Sequence, residues 1–70
     1  MQSLSSVKAG EACEIKWMFG APAVLEFLSK FGIKEGSQIQ VLERSRNDMI
    51  IGFGKRRLAV EAGAVKRIMV

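Results

Sequence analysis

The chain has 70 residues, 49% of them hydrophobic, with 11 Lys+Arg against 7 Asp+Glu, one cysteine and no histidine, for a net charge of +4. A chain this short makes one domain spanning 1–70, and folding buries only ~60% of the surface its extended form exposes, so the core is thin. A lone Cys13 excludes an intrachain disulfide, and one Cys without His excludes the usual zinc and iron ligand sets; no cofactor and no stoichiometric ferrous iron or zinc are expected, and the fold must rest on packing.

The opening Met1-Gln2-Ser3-Leu4-Ser5-Ser6 lacks a basic start and an apolar run, so no signal peptide is expected. The most apolar stretch, Trp17 to Leu25, is interrupted by Gly20 and Pro22 and falls far short of a membrane span. These features predict a cytoplasmic location with a reduced thiol and no direct membrane insertion. Lys8-Ala9-Gly10-Glu11 reads as a turn leading into a strand from Ala12 to Trp17, in which Cys13, Ile15 and Trp17 share the buried face.

The period then changes. Val24, Phe27, Leu28 and Phe31 fall at i, i+3, i+4 and i+7, the spacing of one helix face, with Pro22 in the first turn where its missing N–H goes unnoticed. Glu26 and Lys30 are placed for an i,i+4 ion pair on the solvent side. Gly32 supplies a left-handed residue to close the helix, and Ile33 folds back onto Leu28 as in a Schellman cap. After the turn Lys34-Glu35-Gly36 comes a strand from Ser37 to Arg44 with Ile39 and Val41 inward, then the polar turn Ser45-Arg46-Asn47-Asp48. Met49 to Phe53 and Arg56 to Val60 read as strands joined by a tight Gly54-Lys55 turn, with Leu58 and Val60 inward. Glu61 to Ala64 forms one helical turn, and Ile68-Met69-Val70 is a last strand. The expected fold is mostly β: a small five-stranded barrel, closed or nearly so, with one short α-helix plugging an open end through Leu28 and Phe31.

No residue set points to catalysis. With no His and no Tyr, and with the carboxylates scattered beside Lys or Arg, the chain lacks a base near neutral pH, an activated nucleophile and a metal site. Cys13 reads as a small buried hydrophobe rather than a reactive thiol. Gly52-Phe53-Gly54 lacks the strand–glycine–helix order of a phosphate loop. Binding is what remains. Trp17 and Met18 face opposite sides of a strand, so one of them, together with Phe19 and Leu25 on the flank of the helix, can form an exposed apolar patch of the kind that marks interfaces. Lys55 and Arg57, from the cluster Lys55-Arg56-Arg57, point outward as a charged hairpin that blocks edge pairing or as an anion site. Phe27 and Phe31 are assigned to the helix face, leaving Trp17, Phe19 and Phe53 without the interleaved basic residues of a nucleic-acid platform.

The run Gly32-Ile33-Lys34-Glu35-Gly36-Ser37-Gln38-Ile39-Gln40-Val41-Leu42, preceded by the helix ending Leu28-Ser29-Lys30-Phe31, resembles the core signature of the ferrous iron transport protein A (FeoA) family. The likeness extends upstream through Leu4-Ser5-Ser6-Val7-Lys8-Ala9-Gly10-Glu11 and downstream through Ile50-Ile51, Arg57-Leu58-Ala59-Val60 and Ile68-Met69-Val70. Members commonly carry a longer Gly-Asp-Pro-Ile hairpin where this chain has the shorter Arg46-Asn47-Asp48-Met49-Ile50. The resemblance implies an SH3-like barrel. It also implies a non-enzymatic cytoplasmic accessory of bacterial ferrous iron uptake, acting on the membrane permease FeoB and its GTPase domain. Related domains form the C-terminal part of some iron- or manganese-dependent repressors, so a detached regulator domain is the alternative reading, and a small basic nucleic-acid-binding barrel a third. The expected partner is the permease, with no tight nucleic-acid binding and at most a weak homo-oligomer, through a partner-binding set of Trp17, Met18, Phe19, Leu25, Lys55 and Arg57.

Overall fold

The computed structural model describes all 70 residues, Met1–Val70. The chain opens with a single 3-10 turn at Leu4–Ser6, where the Ser5 N–H donates to Ser3 Oγ at 3.2 Å. That turn sinks Leu4 and Val7 into the core. Its anchor is the far end of the chain: the Gln2 N–H donates to the Val70 carbonyl at 2.9 Å and the Val70 N–H returns to Gln2 at 2.7 Å. Local periodicity cannot reveal such a partner, and the sequence assigns no element there.

The strand expected from Ala12 to Trp17 is two strands. β1 (Ala12–Glu14) pairs antiparallel with β3 (Gln38–Arg44). At the corner the Ile15 N–H still donates to Ser37, but the Lys16 N–H donates to Met69 at 2.8 Å. β2 (Trp17–Met18) then pairs with a different strand, the one at Ile68–Met69. Changing partners turns the chain about its axis, so Ile15 is fully buried while Trp17, expected beside it, is half exposed and Met18 packs against the core instead.

The helix α1 (Pro22–Lys30) starts as read, with Pro22 in its first turn and no side-chain cap from Ala21. Its end closes as a Schellman motif: the Ile33 N–H donates to Leu28 at 3.0 Å and the Gly32 N–H to Ser29 at 2.9 Å, with Gly32 at φ +84°. The apolar stripe is only partly inward. Leu28 is buried and Val24 and Phe31 are half-buried, but Phe27, expected on the buried face, is 44% exposed. It lines the groove between the helix and Ala59, stacked edge-on against Phe31 with centroids 5.1 Å apart. Glu26 and Lys30 do not close the expected ion pair; the one pair within 4 Å joins Lys16 and Glu14, both well exposed and worth little.

β4 (Asp48–Phe53) and β5 (Arg56–Glu61) form a two-residue hairpin at Gly54-Lys55. Gly54 at φ +61° in the first central position marks a type II′ turn, which matches strand twist. α2 (Ala62–Val65) follows, then β6 (Ile68–Met69), the partner of β2. The main sheet has the order β1-β3-β4-β5, with β2 and β6 as a separate two-stranded ribbon. The fold is the expected mostly β, SH3-like one, but with six strands instead of five, because the first strand splits, and with ladders that do not close: β1 and β5 remain edges. Ile39, Val41, Met49, Ile51, Leu58 and Val60 line the inner face of the sheet. They meet Leu4, Ile15, Leu28, Ile33 and Ile68 in a core without a single buried polar side chain. Burying each large aliphatic contributes about 1.5–3 kcal/mol, which stands in for the missing disulfide or metal.

Candidate interaction surface

The six residues singled out by the sequence form separate groups. Trp17 and Phe19 stack on one another, centroids 4.8 Å apart and 30° from parallel, and both are more than 40% exposed. The ribbon holds them: Trp17 faces Met69 in register, and the Phe19 N–H donates to the Arg67 carbonyl at 3.1 Å. Arg67 lies across Gly20, whose missing side chain leaves it room; a Cβ there would stand 2.8 Å from Arg67 Cδ. The Arg67 side chain thus lies against the backbone next to Phe19.

Met18 and Leu25 line one open groove of about 480 Å³, together with Ser29, Ile33, Lys34 and Glu35. The ribbon, the helix and the cap loop each supply a wall. Ile33 was not among the expected residues, since its spacing marked it only as a cap contact.

Lys55 and Arg57 belong to another surface, the outer face of the main sheet. There Ala12, Gln40, Gly52 and Arg57 stand in one row across all four strands. β3 carries a bulge between Val41 and Glu43, and the extra residue Leu42 covers Gly52, where a Cβ would meet it at 3.3 Å. The groove over this row holds about 410 Å³ and is bordered by Gln38, Gln40, Lys55 and Arg57. Arg56, the neighbour of Arg57, also borders this groove. It lies over the Phe31 ring at 5.4 Å and ties the hairpin tip to the end of α1. An apolar groove of about 320 Å³ lined by Val24, Phe27, Ala59 and Ala64 separates α1 from β5, and no sequence signal predicted it because Phe27 was assigned to the core.

Nothing in these surfaces gathers reactive groups. Cys13 is half-buried, and burial, followed by the nearby Glu11 charge, pushes its thiol up from the ordinary value, away from the nucleophilic thiolate. No three His, Cys, Asp or Glu side chains converge to hold a metal ion, and no helix is long and apolar enough to cross a membrane.

The FeoA domain model matches residues 2–70. Among solved structures, the solution structure of the FeoA protein from Chlorobium tepidum superposes with a TM-score of 0.90 at 23% identity, over 97% of this chain and 67% of that one. The crystal structure of an iron uptake regulatory protein (FeoA) is 30% identical with a TM-score of 0.80, covering 96% of this chain and 89% of that one. A manganese-dependent transcriptional repressor superposes with a TM-score of 0.86 at 17% identity; 96% of this chain covers 39% of it, a likeness of fold alone. No curated protein sequence matches the chain.

Proposed function

The chain belongs to the FeoA domain family, and from that premise we propose that it is a non-enzymatic cytoplasmic interaction module that assists or regulates ferrous iron uptake by binding an FeoB-type permease on its GTPase-bearing side. The observation that carries the reading is the exposed aromatic pair Trp17 and Phe19 next to the groove lined by half-buried Met18 and Leu25. Large apolar groups left in water beside charged rims such as Lys34 and Glu35 favour a protein partner.

A second reading, the detached domain of a metal-dependent regulator, draws on the fold likeness to the manganese-dependent repressor. The two differ in what is captured. Tagged wild-type chain should co-purify the permease from detergent-solubilised membranes. Leu25→Glu or Met18→Glu, each checked for fold by circular dichroism because Met18 packs on the core, should lose it. Capture of a DNA-binding regulator in place of the permease would favour the second reading.

A further inference from the structure

β5 is an open edge with a self-complementary pattern. Asn47 accepts from the Ala62 N–H at 2.9 Å, and Phe53 faces Arg56 across the two-residue turn, so Arg56, Leu58 and Val60 direct their backbone groups at β4. Arg57 and Ala59 therefore present their N–H and C=O groups away from the sheet, and Glu61 its N–H, while the Glu61 carbonyl turns into the first turn of α2. All three are exposed, with their side chains on the outer face.

The charges at the two ends of that edge lack partners within the chain. Glu61 stands directly opposite Asp48 on β4, a cross-strand pair of like charges with no cation within 4 Å of either. Arg57 stands opposite Gly52, which offers it nothing. An edge protected against pairing would carry one sign of charge along its length, so that two copies repel. Here opposite signs sit at equal distances from Ala59.

We propose that β5 pairs antiparallel with β5 of a second copy of this chain, about a two-fold axis at Ala59, joining the two main sheets into one. In that register Arg57 faces the partner subunit's Glu61, Ala59 faces the partner subunit's Ala59, and their outward N–H and C=O groups, the Glu61 carbonyl excepted, meet in phase. About four inter-chain backbone hydrogen bonds result, two at the Ala59 pair and one at each Arg57–Glu61 pair. Two Arg–Glu pairs form on the outer face, each beside an Asp48 whose carboxylate accepts from Ser45 Oγ but faces no cation in the monomer. Ala59 itself adds little bulk at the axis, which lies beside the groove that Val24 and Phe27 wall on the α1 side. The contact is isologous, so it closes at two copies rather than growing into a filament. It is also smaller than a standard interface, so the dimer is weak and exchanges with monomer.

Sedimentation equilibrium of the full chain up to about 1 mM reads the association, since a small interface is populated only there. Expected is a mass rising from 7.7 kDa towards twice that value. Arg57→Glu or Glu61→Arg alone should weaken the dimer by about ten-fold, because each reversal turns two facing pairs from attractive to repulsive. Combining both restores opposite charges across the axis and should restore association. Both positions are exposed, and Glu61→Arg gives Asp48 an opposite charge, so the variants keep the fold. A monomer at the highest concentration overturns the proposal, as does a dimer indifferent to the single reversals or one that the combined change fails to recover. Loss of permease capture by the single variants, with the free chain monomeric throughout, would also overturn it and assign the edge to the permease.

Discussion

Gly32 holds φ +84° at the cap of α1, a backbone conformation that any side chain strains to adopt. Gly32→Ala should cost about 1 kcal/mol and lower the melting temperature by about 4–8 °C in a domain of this size. Equal melting temperatures would remove the cap. Gly36 stands at φ +91°, so its substitution carries a similar backbone cost. Cys13 gives a test in pH. Burial first, then the Glu11 charge, favour its neutral thiol in the folded state, so as pH rises the unfolded chain ionises first. The stability tied to this group is present below the ordinary thiol value and lost as pH climbs past it. At mildly alkaline pH iodoacetamide should label Cys13 more slowly in the native chain than in urea; equal rates would place the thiol in water.

Elements bounded by strong local chemistry were legible in the sequence. Pro22 and Gly32 bracket α1, Gly54-Lys55 sets the β4–β5 hairpin, and the alternation of Leu58 and Val60 gives the inner face of β5. What escaped was decided by distant partners. β1 and β2 read as one strand because the exchange from Ser37 to Met69 at Ile15-Lys16 leaves no trace in residue type. The same exchange turned Trp17 outward and Met18 inward, so half of the candidate surface was visible only as an ambiguity. Arg56 and Arg57 look alike in sequence and both border the outer groove, yet only Arg56 lies over Phe31. At micromolar concentration Arg56→Ala should lower stability by about 0.5–1 kcal/mol through the lost ring contact, and Arg57→Ala should not. Urea midpoints that shift equally would separate the hairpin tip from α1.

As a whole the molecule is a thin apolar core closed by its own ends. Gln2 and Val70 exchange hydrogen bonds, and Leu4 enters the core from the first turn, fully buried. Leu4→Ala should therefore cost about 2–5 kcal/mol, a large share of the total for so small a domain; a midpoint unchanged in urea would make the opening turn an ornament. The same architecture divides the exterior into an apolar side around Met18 and Leu25 and a basic outer sheet at Lys55 and Arg57. A working surface on the first predicts recognition that tolerates salt. A working surface on the second predicts affinity for phosphates that falls steeply as salt rises. The decisive measurement is a salt titration of binding to the GTPase-bearing cytoplasmic part of the permease and, in parallel, to RNA and duplex DNA. Expected is permease binding that changes by no more than about three-fold between low and physiological salt, is lost in Leu25→Glu, and is accompanied by no tight nucleic-acid binding. Submicromolar RNA or DNA binding that collapses with salt and disappears in Lys55→Glu with Arg57→Glu, while Leu25→Glu still binds the permease as wild type does, would contradict it.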